Sequence, residues 1–129
     1  MGFPDQPPRR ALLLVAADWQ SRALALAELQ EAGYDVTALP GVRSALAALA
    51  QRRLAPALIL LDVHGDDDAT PARVEELLAL APGVPLVLVV GAFGQEAWEP
   101  LRTRLAGLLR RPLTVATLVD AVTTALTTP

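Results

Sequence analysis

The sequence predicts an α/β fold in which a parallel five-stranded sheet lies between two layers of helices. Two observations support this prediction. Short apolar runs alternate along the chain with amphipathic segments, which is the pattern of repeated strand–helix units. In addition, the runs Ala57–Leu61 and Leu86–Val90 are apolar at every position, as expected for central parallel strands that are covered on both faces.

The individual elements follow from these patterns in chain order. The predicted strands are Ala11–Ala16, Tyr34–Leu39, Ala57–Leu61, Leu86–Val90 and Leu108–Arg110. The predicted helices are Gln20–Ala32, Val42–Arg53, Pro71–Leu80, Gln95–Leu105 and Thr114–Leu126. Right-handed crossovers between parallel strands then give a doubly wound, three-layer (βα)5 sheet of flavodoxin-like order 2-1-3-4-5.

Helix ends are marked by residues that favour caps. Gly33 suits the position just after the first helix, where a left-handed backbone is common. Thr70 and Pro71 suit the N-cap and first turn of the third helix, and Thr114 suits the N-cap of the fifth. Pro100 lies inside the fourth helix and should shorten or kink it, because proline lacks a backbone N–H.

The spacing of apolar residues predicts which helix faces are buried. In the first helix the predicted inward stripe comprises Ala23, Leu24, Ala27 and Leu29. In the second it comprises Leu46, Leu49 and Ala50, and in the fifth Leu118, Val119 and Val122.

The chain of 129 residues is long enough for one domain with its own core. Residues 1–9 contain three prolines and are expected to form a disordered tail. Residues 10–126 form the predicted domain, and 127–129 a C-terminal tail or the start of a linker. Because the threonine-rich end looks like the start of a linker, we expect the chain to be the excised N-terminal domain of a longer protein.

Composition excludes several classes of function. The chain contains no cysteine, so it has no disulfide framework or thiolate metal site. Its formal net charge of -3 argues against direct nucleic-acid binding, which needs a concentrated basic patch. No apolar run approaches the ~20 residues that span a bilayer, and no signal peptide precedes the domain. We expect a cytoplasmic protein without membrane contact.

Asp62 is the most informative polar residue. It follows a buried strand, and open α/β sheets place their functional groups at the carboxyl ends of such strands. Asp18 follows the first strand, which should neighbour the third, so the two aspartates are expected to approach one another. All eleven basic residues are arginine, which excludes any mechanism that requires lysine.

Five segments resemble a known family: Leu12–Asp18, Leu29–Tyr34, Pro56–Val63, Gly83–Val90 and Leu109–Leu113. Over about residues 10–126 the chain resembles the receiver domain of two-component response regulators. The resemblance implies that Asp62 corresponds to the aspartate that receivers phosphorylate. It also implies an effector domain or a protein partner in signal transduction.

The resemblance further implies helper groups, and this sequence replaces almost all of them. Receivers hold Mg²⁺ with acids at the end of strand one, where this chain has Ala16 and Ala17 before Asp18. The hydroxyl after strand four is replaced by Val90, the lysine after strand five by Arg111, and the aromatic switch residue by Leu108. Methyl groups cannot ligate a cation that needs oxygen ligands, so we expect no Mg²⁺ and no other cofactor.

These replacements predict a degenerate, or pseudo-receiver, domain with no catalytic residue and no enzymatic activity. Asp62 is then a vestigial acceptor that pairs with Arg111, which can bind carboxylates bidentately, or that caps a loop. The predicted function is a phosphorylation-independent interaction and dimerisation module in signalling or transcriptional regulation. Two alternatives stay open: Asp62 is still phosphorylated, or the crevice vacated by the acids binds a small ligand.

Two further interpretations concern charged residues. Asp66–Asp68, with Asp18 and Asp62, would supply oxygen ligands for a relocated cation site, although a solvated loop before a helix explains the run more simply. The face formed by the fourth helix, fifth strand and fifth helix is a candidate homodimer surface. Its positive residues are Arg102, Arg104, Arg110 and Arg111, and its negative residues are Glu96, Glu99 and Asp120.

Overall fold

The computed structural model describes residues 9–127, in which strands and helices alternate along the chain. The strands are β1 (Ala11–Ala16), β2 (Asp35–Leu39), β3 (Leu58–Asp62), β4 (Leu86–Val90) and β5 (Gly107–Arg110). The α-helices are α1 (Trp19–Glu31), α2 (Val42–Ala50), α3 (Pro71–Leu80) and α4 (Val115–Thr127), and a 3₁₀ helix spans Gln95–Arg104.

All strand pairs are parallel and the sheet order is β2-β1-β3-β4-β5, which confirms the predicted fold class. The register decides which residues meet at the carboxyl edge. Ala16 lies opposite Asp62 on the neighbouring strand, and Asp62 lies opposite Val89. Val90 lies opposite Arg110, so the residue after β5 enters the same edge.

The core is divided by the sheet into two apolar clusters. Alternate side chains of the central strands point to opposite faces, as the two-residue period of a strand requires. On one face Leu13, Val15, Ile59 and Leu61 pack under α2, α3 and the 3₁₀ helix. On the other face Leu12, Leu14, Leu58 and Leu60 pack under α1 and α4. Each central strand is buried on both faces, as its continuous apolar sequence predicts.

The predicted helix caps are present. Gly33 has φ 102° after α1, and Tyr34 N donates to Leu29 O at 3.1 Å, which closes a Schellman motif. Thr70 accepts a hydrogen bond from Arg73 N before α3, and Thr114 accepts one from Thr117 N before α4. These contacts satisfy backbone groups that have no partner within the helix.

Two predicted helices are wrong in extent or type. α2 ends at Ala50 rather than at Arg53, because Arg52 turns left-handed (φ 57°) and Arg53 N donates back to Ala48 O. The segment from Gln95 is a 3₁₀ helix, and not the α-helix expected over Gln95–Leu105. Pro100 lies inside it and removes a donor that an α-helix would use.

The predicted buried stripe of α1 is confirmed at Leu29 and wrong at its other three positions. Ala25 and Leu29 are the buried residues of this helix, whereas Ala23, Leu24 and Ala27 are exposed. An alanine-rich helix has no strongly apolar side, so its sequence does not fix its rotation, and packing against the sheet decides it. In α2, Leu49 is buried and Leu46 half-buried as predicted, but Ala50 is exposed. In α4, Val122 is buried, and Leu118 and Val119 pack against the same cluster.

The predicted tails fall largely outside the described part of the chain. Residues 1–8 and 128–129 lie outside it. The expected disorder of residues 1–9 therefore stays a prediction at every position except Arg9, which the structure describes. Thr127 was assigned to the C-terminal tail and instead belongs to α4. No helix within residues 9–127 is long and apolar enough to cross a membrane.

Candidate functional site

Asp62 ends β3 and forms an ion pair with Arg111. Arg111 Nη2 donates to Asp62 Oδ2, and the Asp62 side chain is only 13% exposed while that of Arg111 is 31% exposed. Charge-assisted contacts of this kind gain strength where water is partly excluded. The pair is therefore intermediate between a solvated surface bridge and a buried one.

The second carboxylate oxygen of Asp62 is also engaged. His64 N donates to Asp62 Oδ1 at 3.0 Å, which holds the start of the loop after β3. The pair with Arg111 is thus one nitrogen to one oxygen, and not the bidentate contact that the sequence left open. Asp62 both pairs with Arg111 and caps a loop, whereas the sequence analysis had treated these as alternatives.

Backbone contacts place Arg111 beside Asp62. β5 ends at Arg110, and Arg111 N donates to Val90 O at 2.9 Å, which extends the β4–β5 pairing by one residue. The side chain then reaches across the end of β4 to β3. Its Nε is buried and has no hydrogen-bond partner among residues 9–127, and a buried unpaired donor costs about 1–3 kcal/mol.

A second guanidinium lies at the end of β1, and the sequence analysis missed it. Arg22 Nη1 donates to Ala16 O at 2.7 Å and to Ala17 O at 3.2 Å. The signal was available, because side chains in the first turn of a helix point back toward its N-terminus. A positive group therefore stands beside the two positions at which receivers carry acids.

Asp18 caps α1 and does not join Asp62. Its Oδ2 accepts a hydrogen bond from Ser21 N at 2.9 Å. Hydrogen bonds from the Ser21 side chain and backbone lower the pKa of Asp18 below its ordinary value of 3.8, with smaller contributions from the charges of His64 and Arg111. Asp18 is therefore committed to the cap of α1.

Asp66 caps α2 from a distance. Its Oδ2 accepts from Val42 N at 2.8 Å, and its Oδ1 accepts from Asp68 N at 3.1 Å. Gly41, the N-cap of α2, has no side chain to do this. No group of three or more acidic or histidine side chains within residues 9–127 is arranged to hold a metal ion, so Asp18, Asp62 and Asp66 do not converge.

Val90 and Leu108 stand where receivers carry a hydroxyl and an aromatic residue, and both pack in apolar surroundings. Val90 is buried at the end of β4, and Leu108 on β5 packs against the core cluster under α3 and the 3₁₀ helix. Neither side chain can donate a hydrogen bond to an anion at Asp62.

The residues at this edge do not fit Mg²⁺. Mg²⁺ requires several oxygen ligands in octahedral geometry, whereas Ala16 and Ala17 offer methyl groups and both oxygens of Asp62 are engaged. The guanidinium of Arg111 also places a positive charge directly at the Asp62 carboxylate.

Comparison with known proteins identifies the fold. A response regulator receiver domain protein from Methanospirillum hungatei matches with a TM-score of 0.81, at 20% identity over 92% of this chain and 94% of that chain. One from Clostridium thermocellum matches with a TM-score of 0.73, at 16% identity over 91% and 94%. The chain has the receiver-domain fold.

A longer neighbour shows the same fold as one part of a larger chain. NtrX from Brucella abortus, in complex with ATP, matches with a TM-score of 0.76 at 24% identity, over 92% of this chain but 27% of that chain. The sequence itself matches no protein-family model and no curated protein at a significant level. The receiver-domain assignment therefore rests on the fold. A function for this chain has to be argued from the side chains at the carboxyl edge of the sheet.

Replacing Arg111 alone should lower the free energy of unfolding more than replacing both Asp62 and Arg111. Arg111→Gln leaves the Asp62 carboxylate largely buried without a counterion, and we expect a loss of about 1–3 kcal/mol, between typical exposed and buried pairs. Asp62→Asn in the Arg111→Gln background should recover about 1 kcal/mol. Urea unfolding of the single and double variants measures this coupling.

Arg53→Gln is the control, because Arg53 is exposed, lies outside the proposed dimer face and has no ion pair among the described residues. It should change the unfolding free energy by less than about 0.5 kcal/mol. Strictly additive losses from Asp62→Asn and Arg111→Gln would show that the pair contributes no coupling.

Proposed function

We propose that this chain is a pseudo-receiver domain in signal transduction that acts through protein contacts and does not depend on phosphorylation. The observation that carries the proposal is the ion pair between Asp62 and Arg111. The residue that corresponds to the phosphoacceptor already has an intramolecular counterion.

Phosphorylation of Asp62 is disfavoured at its carboxylate. One oxygen accepts from His64 N and the other from Arg111 Nη2, and both contacts withdraw electron density from the carboxylate and so weaken it as a nucleophile toward a phosphodonor. Phosphoryl transfer depends on positive charge around the transferred group. Here the nearest positive group is already paired, and the side chains at 16 and 17 cannot bring a metal ion.

The side chains that respond to phosphorylation in receivers are also replaced here. A phosphoryl group at Asp62 would find no side-chain hydroxyl at Val90, which is buried and aliphatic. Leu108 provides no aromatic ring whose movement could report the change. The proposal therefore includes no catalytic residue and no enzymatic step, and the domain serves as a binding module.

The proposed partner is a protein, either an effector domain or a separate chain. The match to about a quarter of NtrX supports a domain that works beside others. The proposal does not include nucleic-acid contact by this domain, in keeping with its net charge of -3.

Self-association is proposed through the face formed by the 3₁₀ helix, β5 and the loop between β4 and the 3₁₀ helix. Phe93 in that loop is 94% exposed, and Arg110, Glu96 and Glu99 line the same shallow surface. An exposed aromatic residue among polar groups is typical of interface centres. These side chains favour a two-fold contact in which each copy offers the same surface.

Several charges expected on the dimer face have partners within the same chain or lie on another face. Arg102 pairs with Glu99 in the same helix, and Arg104 pairs with Glu75 of α3. Asp120 faces α1, where it lies beside Glu28 and Glu31. The interface proposed here therefore depends on Phe93 and Arg110, and less on complementary charge than the sequence suggested.

Incubation with a small phosphodonor and Mg²⁺ tests phosphorylation independence. We expect the intact mass of the wild-type protein to stay unchanged, because Asp62 is paired and lacks a metal site. Asp62→Asn is the control for adventitious labelling. A stoichiometric gain of one phosphoryl group that Asp62→Asn abolishes would refute the proposal.

Sedimentation velocity over a range of protein concentrations tests the dimer. Wild-type protein should shift toward a dimer as concentration rises, and Phe93→Ser should weaken this association at least about fivefold by removing the central apolar contact. Leu80→Ser on α3 is the control, since Leu80 is also exposed but lies on another face. A wild-type monomer at every concentration, or equal effects of both variants, would contradict the proposed interface.

A further inference from the structure

A cavity of about 160 Å³ opens between α1 and α4 on one face of the sheet. Its floor is formed by the strand residues Leu14, Leu60 and Val89. Leu24 and Ala25 of α1 line one side, and Val115 and Leu118 of α4 line the other. Leu24 is also 53% exposed, so the cavity reaches the surface.

The cavity continues directly from the position of a missing acid. Its polar lining residues are Ser21, Asp62 and Arg111. Ala16 lies beside them, where the resemblance to receivers places a carboxylate. Small side chains at Ala16 and Ala25 leave space that longer ones would fill. Val122 is the only fully buried residue of α4, so α4 does not fill the space between itself and α1. Protein cores normally pack without voids of this size.

The chemistry of the lining is apolar with one polar end. The Asp62–Arg111 pair carries no net charge, and it uses one of the five N–H donors of the guanidinium. Arg111 Nε is buried and unpartnered among residues 9–127. The polar end thus has unused N–H donors but no net charge that would attract an ion. An ionised ligand would also lose its hydration against leucine and valine side chains, which costs free energy.

We propose that this cavity binds a small uncharged molecule, made of one apolar ring or branched chain and a single hydroxyl or carbonyl group. The volume sets the size, since an apolar cavity of about 150 Å³ accommodates benzene. The apolar body lies between α1 and α4, and a slight shift of the guanidinium lets Arg111 donate to the ligand oxygen. This proposal goes beyond phosphorylation-independent protein contact and does not depend on it.

Titration of the wild-type protein with phenol, benzene and benzoate, followed by amide chemical shifts, tests the site. Phenol should bind saturably at millimolar concentration, with shifts at residues of α1 and α4. Phenol should bind about 2- to 12-fold more tightly than benzene, which is the range expected for one hydrogen bond. Benzoate should bind more weakly than phenol because it carries a charge.

Two variants locate the binding. Ala25→Leu places a larger side chain in the cavity and should weaken phenol binding at least tenfold. Ala23→Leu, on the exposed side of the same helix, should leave it unchanged. If Ala25→Leu does not fold, as judged by circular dichroism, Ala16→Val gives the same test from the polar end.

Three results would overturn the proposal. The first is the absence of saturable binding by both phenol and benzene. The second is phenol binding that Ala25→Leu, or Ala16→Val in its place, does not weaken relative to Ala23→Leu. The third is tighter binding of benzoate than of phenol, which would assign the site to anions.

Discussion

The ion pair between Asp62 and Arg111 organises the carboxyl edge of this sheet. It joins the ends of β3 and β5 across β4, and it balances a carboxylate whose side chain is only 13% exposed. A partly buried charge without a partner is costly, so Asp62 needs a positive group beside it. Arg111 is that group, held in register by its backbone contact to Val90.

The other polar groups of the edge have structural uses. Asp18 caps α1, Asp66 caps α2, and Arg22 binds the carbonyl oxygens that end β1. Each of these contacts satisfies a backbone group at a strand or helix end, where regular structure leaves it unpaired. In place of a cluster of acids that awaits a cation, the chain has separate contacts that are already satisfied. This arrangement is the basis on which we propose a binding role and not a phosphorylation switch.

The sequence predicts the sheet well because the central strands are apolar throughout and each crossover has one allowed hand. Caps at Gly33, Thr70 and Thr114 are equally local and were predicted. The rotation of α1 was not, since an alanine-rich helix has several equivalent faces and only packing selects Ala25 and Leu29. At the site, the pairing of Asp62 with Arg111 was one of two alternatives that followed from the resemblance to receivers. The contact of Arg22 could be anticipated from its place in the first turn of α1, whereas the cavity beside Ala16 depends on packing that no spacing in the chain specifies.

The central claim is that Arg111 takes the place of a divalent cation at Asp62. It is tested most directly by titrating the wild-type protein with Mg²⁺ and following the amide resonance of His64, whose N–H binds Asp62 Oδ1. The account predicts no change in the His64 and Val63 amide shifts up to millimolar Mg²⁺, because the carboxylate is engaged and the neighbouring ligands are methyl groups. Saturable shifts at these two amides would show that a cation reaches Asp62 and would contradict the account.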